Sequence, residues 1–154
     1  MKNGYIFDLD GTVINSAHRT PTDEHGNLDL EGYFARKHLL YRDTLLPLAL
    51  HMRKAINDSV ITLVSTARGL DAGDWNFLHM HGLIPHDMFS RPNGNRMRDV
   101  DLKRAHMRDI MRKYRDVHFT MYDDNHSVLK GLTRFKRLTL IDSTPTNRQL
   151  AEAA

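Results

Sequence analysis

Eight residues near the start of the chain, Tyr5-Ile6-Phe7-Asp8-Leu9-Asp10-Gly11-Thr12, constrain its fold more than any other segment. Tyr5, Ile6 and Phe7 form a β-prone apolar run suited to a buried strand, and Gly11 breaks it with a sharp turn. Asp8 and Asp10 therefore fall where strand gives way to loop. In an open parallel α/β sheet that carboxyl edge is where ligands bind. A carboxylate pair there has two chemical uses, as hard oxygen ligands for Mg²⁺ and as a nucleophile beside a general acid. Asp-Leu-Asp-Gly is also an ordinary turn sequence, so the octet alone leaves both readings open.

The rest of the chain alternates strand-like and helix-like patterns. Residues 15–29 are polar, contain Pro21 and Gly26, and read as a loop or small insertion. Residues 39–56 carry Leu45, Leu48, Ala49, Met52 and Ile56 at helical spacing, with Asp43 or Thr44 placed to cap the helix and Pro47 in its first turn. A β-branched strand follows at 60–64, then a helix at 71–81 closed by Gly82 and a short extended piece at 88–90. A long helix is predicted at 99–114, a strand at 117–122, a short helix at 127–133 and a fourth strand at 137–141. This order predicts right-handed βαβ units in an α/β fold with a doubly wound, mostly parallel sheet. One domain is expected over 1–142, in which 13–42 form a loop or at most a small insertion cap. Residues 143–154 show no core face and are expected to be a partly disordered tail.

The absence of Cys excludes a disulfide framework, a thiolate metal site and a Cys nucleophile. No apolar run approaches the roughly 20 residues that span a bilayer, and Met-Lys-Asn-Gly leads straight into the first strand. A cytoplasmic protein without a membrane partner or signal peptide is therefore expected; the sequence leaves oligomeric state open. The net charge of +3 is unevenly placed: Lys and Arg number 8 against 11 acids through Ser90, and 14 against 8 from Arg91 onward. Most of the basic residues between Arg91 and Arg115 read as a solvated helix face, with Arg91, Arg96 and Lys103 set apart by the pattern below. His79, His81 and His118 do not have zinc-ligand spacing.

If one strand ends in acids, the others should bring complementary groups to the same edge. The second ends in Ser65-Thr66-Ala67-Arg68, where either hydroxyl can donate to a phosphoryl oxygen or cap the next helix. The third ends in Asp123-Asp124-Asn125, and these acids would complete a Mg²⁺ site that Asp8 and Asp10 leave short of ligands.

Asp8, Asp10, Thr66, Lys103, Asp123 and Asp124, in this order across residues 4–141, resemble the haloacid dehalogenase (HAD) superfamily of phosphohydrolases. The resemblance implies a HAD-like Rossmannoid fold and a Mg²⁺-dependent phosphomonoesterase. In it Asp8 is the nucleophile and Asp10 the general acid and base. Thr66 and Lys103 hold the phosphoryl oxygens, and Asp8, the Asp10 main-chain carbonyl, Asp123 and Asp124 hold the metal. Within the superfamily, Thr66 and Arg68, Arg91-Pro92, Asn95-Arg96, Asp99 and Lys103 are similar to the 3′-phosphatase domain of the bacteriophage polynucleotide kinase-phosphatase family. That likeness implies Thr12, Arg68, Arg91 and Arg96 as substrate contacts and a 3′-phosphorylated nucleic-acid end or 3′-nucleotide as substrate. Asn125 departs from it, standing where that subgroup has Arg, and the chain contains no phosphate-binding Gly-x-x-x-x-Gly-Lys-Ser/Thr loop of a kinase. The alternatives are a phosphatase of free nucleoside monophosphates and a HAD-like binding module without turnover.

Overall fold

The computed structural model describes residues 1–154, Tyr41 by its backbone alone. β1 (Lys2–Phe7) is the central strand of a five-stranded sheet. On one side lie β4 (Ile61–Ser65) and then β5 (Asp87–Phe89); on the other lie β6 (Val117–Asp123) and then β7 (Leu138–Asp142). All neighbouring pairs are parallel, with Phe7 in register with Val64 on one side and Tyr122 on the other. Parallel strands require crossovers, and α2 (Leu48–Asn57), α3 (Ala72–Met80), α4 (Asp99–Lys113) and α5 (His126–Gly131) provide them. The chain builds outward from β1 through β4 to β5, then returns to the other side for β6 and β7. The strand order thus reverses between β1 and β6, and a crevice opens beyond their carboxyl ends.

Successive residues of a strand face opposite sides, so each strand contributes to two cores. Phe7 and Val64 join Leu48, Met52, Leu78 and Leu83 on one face; Ile6 and Leu63 join Met107, Ile110, Phe119 and Met121 on the other. The expected doubly wound α/β fold is the one observed. Among the described residues, no helix is long and apolar enough to cross a membrane.

Residues 39–56 do not form the continuous helix their spacing suggests. A 3-10 segment (Lys37–Arg42) follows α1 (Leu30–Arg36), then β3 (Thr44–Leu45) pairs antiparallel with β2 (Ile14–Asn15). Asp43 does not cap α2, because its carboxylate is occupied by the Arg19 guanidinium at 2.8 and 2.5 Å. α2 begins only after Pro47, whose fixed φ suits a helix start. The polar stretch before α1 contains a hairpin closed by a bridge between Thr22 and Leu28.

The expected tail is a helix, α6 (Ser143–Ala153), capped by Asp142. Its anchor is polar, which is why no apolar stripe announced it. Buried Asn147 accepts from Leu48 N at 2.8 Å and donates to Thr12 O at 2.9 Å, tying α6 to the start of α2 and to the loop after β1.

Candidate active site

β1 ends at Phe7, and Asp8 leaves the sheet with its N–H still bonded to Tyr122 O at 3.0 Å. The last parallel hydrogen bond thus fixes the Asp8 backbone beside the end of β6, where Asp123 and Asp124 stand. Gly11 turns the chain sharply, with φ of +79°, and it sits so tightly against Asp124 that a Cβ there would collide with the carboxylate. Glycine is required at this position for both reasons.

Asp8, Asp123 and Asp124 each place a carboxylate oxygen within 4.8 Å of the others. Lys103, reaching in from the first turns of α4, donates to Asp8 Oδ1 at 2.8 Å and to Asp123 Oδ2 at 2.6 Å. Three buried or half-buried acids thus face a single ammonium. Burial first, and then the neighbouring Asp124 charge, raises Asp8 well above the usual carboxylate range against the pull of Lys103. Burial and the Asp8 charge push Asp123 up to about 7, and burial also raises Asp124. Burial alone would lower the Lys103 ammonium, but Asp123 and Asp8 outweigh it and raise it. An all-oxygen donor set whose carboxylates are all pushed upward by burial and mutual repulsion is suited to a hard divalent cation.

Asp10 is arranged differently. Its carboxylate, which also lines the cleft but is not one of the three clustered acids, accepts from Ser16 Oγ at 2.6 Å and from Arg68 Nε at 2.6 Å. Arg68 is buried between Asp10 and Asp74, and a second buried guanidinium, Arg19, lies 3.9 Å from Asp74 and pairs with Asp43. Two arginines and three aspartates thus form one line of charge from the insertion to Asp10.

The remaining expected site residues divide. Thr12 is buried under the cluster, with its hydroxyl 3.3 Å from Asp8 Oδ2 and 2.9 Å from Ser143 Oγ. The Ser65 hydroxyl is held by His106 Nδ1 at 2.8 Å, beneath the edge. Thr66 is also buried; its Oγ1 accepts from Arg68 N at 3.4 Å, and at this turn it is Ala67 and Arg68 that line the cleft. Arg91 and Arg96 do not reach the cleft. The Arg91 guanidinium donates to Ala67 O (2.6 Å), Met97 O (2.7 Å) and Asp99 Oδ1 (3.1 Å), so it braces two loops against each other. Arg96 is exposed on a separate hollow beside Phe34. An Arg-Pro pair in a polar loop looks the same in sequence whether the guanidinium faces a ligand or a carbonyl.

The cleft over the acids has a volume of about 600 Å³. Ser16, Thr22, His25 and Gly26 of the insertion, with Asn125 and His126 at the start of α5, complete its walls. Sequence reasoning passed over Ser16, Arg19 and Asp74 because their partners lie 6, 24 and 6 residues away on other elements. The one sequence signal for Arg19 is a lone cation within a polar stretch.

The same architecture occurs in solved proteins. A chain of the Pnkp1/Rnl/Hen1 RNA repair complex superposes with a TM-score of 0.66 and 17% identity, over 92% of this chain and 42% of that one. A hydrolase from Streptococcus pneumoniae TIGR4 superposes with a TM-score of 0.57 and 14% identity, over 99% and 100% of the two chains. At those identities the likeness is one of fold. In sequence, the 5′-deoxynucleotidase of Escherichia phage T5 is 35% identical over 158 residues, covering 88% of this chain and 65% of that protein, so the chain spans somewhat under two thirds of its relative. The family model described as bacteriophage T5 5′-deoxynucleotidase matches residues 1–153. By that match, over the whole sheet and every element that carries the acidic cluster, the chain belongs to the bacteriophage T5 5′-deoxynucleotidase family.

Proposed function

We propose that this protein is a Mg²⁺-dependent phosphatase of deoxynucleoside 5′-monophosphates that works through an aspartyl-phosphate. The observation that carries the reading is the cluster of Asp8, Asp123 and Asp124 around Lys103, in a chain whose family is that of a 5′-deoxynucleotidase.

Asp8 attacks phosphorus; an Oδ–P bond forms as the P–O5′ bond breaks. Asp10, oriented by Ser16 and Arg68, gives its proton to the departing O5′ and later takes one from the water that hydrolyses the acyl phosphate. The first of these steps needs Asp10 protonated, and the Ser16 hydroxyl, which can donate or accept, suits both forms. Lys103 neutralises phosphoryl oxygens, an effect worth a few kcal/mol by comparison with an oxyanion donor. Asp8, Asp123, Asp124 and the Asp10 main-chain carbonyl would hold Mg²⁺, which offsets the repulsion between an anionic nucleophile and an anionic phosphate.

The sequence favoured a 3′-phosphorylated nucleic-acid end over free monophosphates. The 5′-monophosphate reading has the better support: Arg91 and Arg96, two of the residues that carried the 3′ resemblance, lie away from the cleft, and the family relative is named for 5′ chemistry. The test is phosphate release with Mg²⁺ from 5′- and 3′-deoxynucleoside monophosphates and from 5′- and 3′-phosphorylated oligonucleotides. The 5′-monophosphates are expected to react fastest, and Asp8→Asn to abolish release while keeping the fold by circular dichroism. Preference for a 3′-phosphorylated end, or turnover retained in Asp8→Asn, would overturn the reading.

A further inference from the structure

Asn125 follows the acidic pair directly, and its amide does two separate things. Its Oδ1 accepts from Ser127 N at 3.0 Å and Val128 N at 3.3 Å, capping α5. Its Nδ2 donates to Gly26 O at 2.9 Å, across 99 residues of sequence. Ser127 Oγ reinforces this contact by donating to His25 O at 3.3 Å. The segment so held is the tip of the hairpin closed between Thr22 and Leu28.

The hairpin has a defined shape of its own. Asp23 Oδ1 accepts from His25 N at 2.8 Å and Asn27 N at 2.9 Å, Asp23 N donates to Asn27 O at 2.7 Å, and Gly26 takes φ of +80°. Its far strand is anchored where Leu28 N donates to Asp99 Oδ2 at 2.8 Å. The hairpin is thus fastened to α4 and α5, the helices that flank the acidic cluster. Thr22, His25 and Gly26 of the hairpin and Asn125, His126 and Ser127 at the start of α5 all line the cleft. The bonds from Asn125 and Ser127 close the seam between the hairpin tip and α5. A monophosphate fits within such a cleft, and with the tip joined to α5 this side of it is closed, so a phosphorylated chain end has one direction fewer in which to carry its second nucleotide.

We infer that Asn125 is a specificity-determining latch, which holds the His25–Gly26 tip against α5 and so restricts the site to single nucleotides, excluding phosphorylated chain ends. This inference rests on the phosphatase reading above and names the residue that sets its substrate class. It also gives a physical role to the position where the chain departs from the 3′-phosphatase pattern: a neutral amide that binds the chain's own backbone replaces a cation.

The test compares the wild-type chain with Asn125→Ser, which keeps a capping oxygen and adds no charge but is too short to reach Gly26 O. Both are assayed with Mg²⁺ on a deoxynucleoside 5′-monophosphate and on a 5′-phosphorylated ten-nucleotide oligomer, and amide hydrogen exchange is followed over residues 24–28. General damage to the site lowers both activities together and cancels in their ratio. The monomer-to-oligomer ratio of kcat/KM is expected to fall about fivefold to tenfold, the scale of one lost hydrogen bond, and exchange at the tip to accelerate. A changed exchange rate with an unchanged ratio would overturn the specificity role, and an unchanged exchange rate would overturn the latch itself. If the wild-type chain releases phosphate from neither substrate, the phosphatase reading is what fails, and the exchange measurement still decides the latch.

Discussion

Arg68 donates from Nε to Asp10 Oδ2 at 2.6 Å, across 58 residues of sequence, while its Nη1 pairs with the buried carboxylate of Asp74. This one guanidinium joins the turn after β4 to the turn after β1 and fixes the direction of the proposed proton carrier. Burial opposes its charge, but Asp10 and Asp74 together outweigh burial and raise its pKa, so it remains a cation throughout the working range.

Lysine in place of Arg68 keeps the charge but cannot reach Asp10 and Asp74 in the same fork geometry. Arg68→Lys is therefore expected to lower kcat about 100-fold with a much smaller change in KM, since orientation of the acid is lost and binding is not. Arg68→Ala removes the nearer cation from buried Asp74, leaving Arg19 at 3.9 Å, and should lose roughly 3 kcal/mol of stability. Steady-state kinetics and urea unfolding check the two outcomes.

The acidic cluster predicts a cation-dependent melting temperature. Mg²⁺ at 100 times its dissociation constant is expected to stabilise the protein by about 2.7 kcal/mol, and EDTA to remove both this gain and turnover. Asp124→Asn removes one donor and should shrink the gain without lowering the melting temperature in EDTA, because it also relieves repulsion against Asp8 and Asp123. Differential scanning fluorimetry with and without Mg²⁺ measures each value.

Asn147→Ala strips partners from two buried backbone groups, Leu48 N and Thr12 O. Each unsatisfied group costs about 1–3 kcal/mol, so a loss of roughly 2–4 kcal/mol is expected in urea unfolding. An unchanged midpoint would show that α6 contributes nothing to the loop carrying Asp8.

His106 sets a pH dependence of stability. Burial pulls its pKa down to about 4, against hydrogen bonding to Ser90 O, while the unfolded value is near 6.5. The unfolded chain then binds the extra proton first, so the stability His106 contributes is complete above pH 6.5 and is lost as pH falls toward 4. The full effect is about 3 kcal/mol. Asp123, raised by burial, acts with the opposite sign over an overlapping range, but it is common to wild type and His106→Gln. The stability difference between these two proteins is therefore expected to shrink as pH is lowered from 7 to 4 in urea titrations.

The order of strands and crossover helices was legible because each strand's apolar run is local and the crossovers follow a fixed hand. The helix over 39–56 was misread for a physical reason: β3 and the Asp43–Arg19 pair recruit those residues through partners on the other side of the insertion. α6 escaped notice because a buried amide, and not an apolar stripe, attaches it.

The sequence by itself determined that Asp8, Asp10, Asp123 and Asp124 would come to one edge, because strand ends in a parallel sheet share an edge wherever their strands are placed, whereas Lys103, on a helix, was placed there only by the family resemblance. Only the tertiary structure decided which polar side chains serve the cleft. Arg68 turns to Asp10, Arg91 turns to loop carbonyls, and Asn125 turns to the backbone of a hairpin 99 residues away. A buried side chain takes whichever partner satisfies its hydrogen bonds, and that partner is set by distances across the fold that no local pattern encodes.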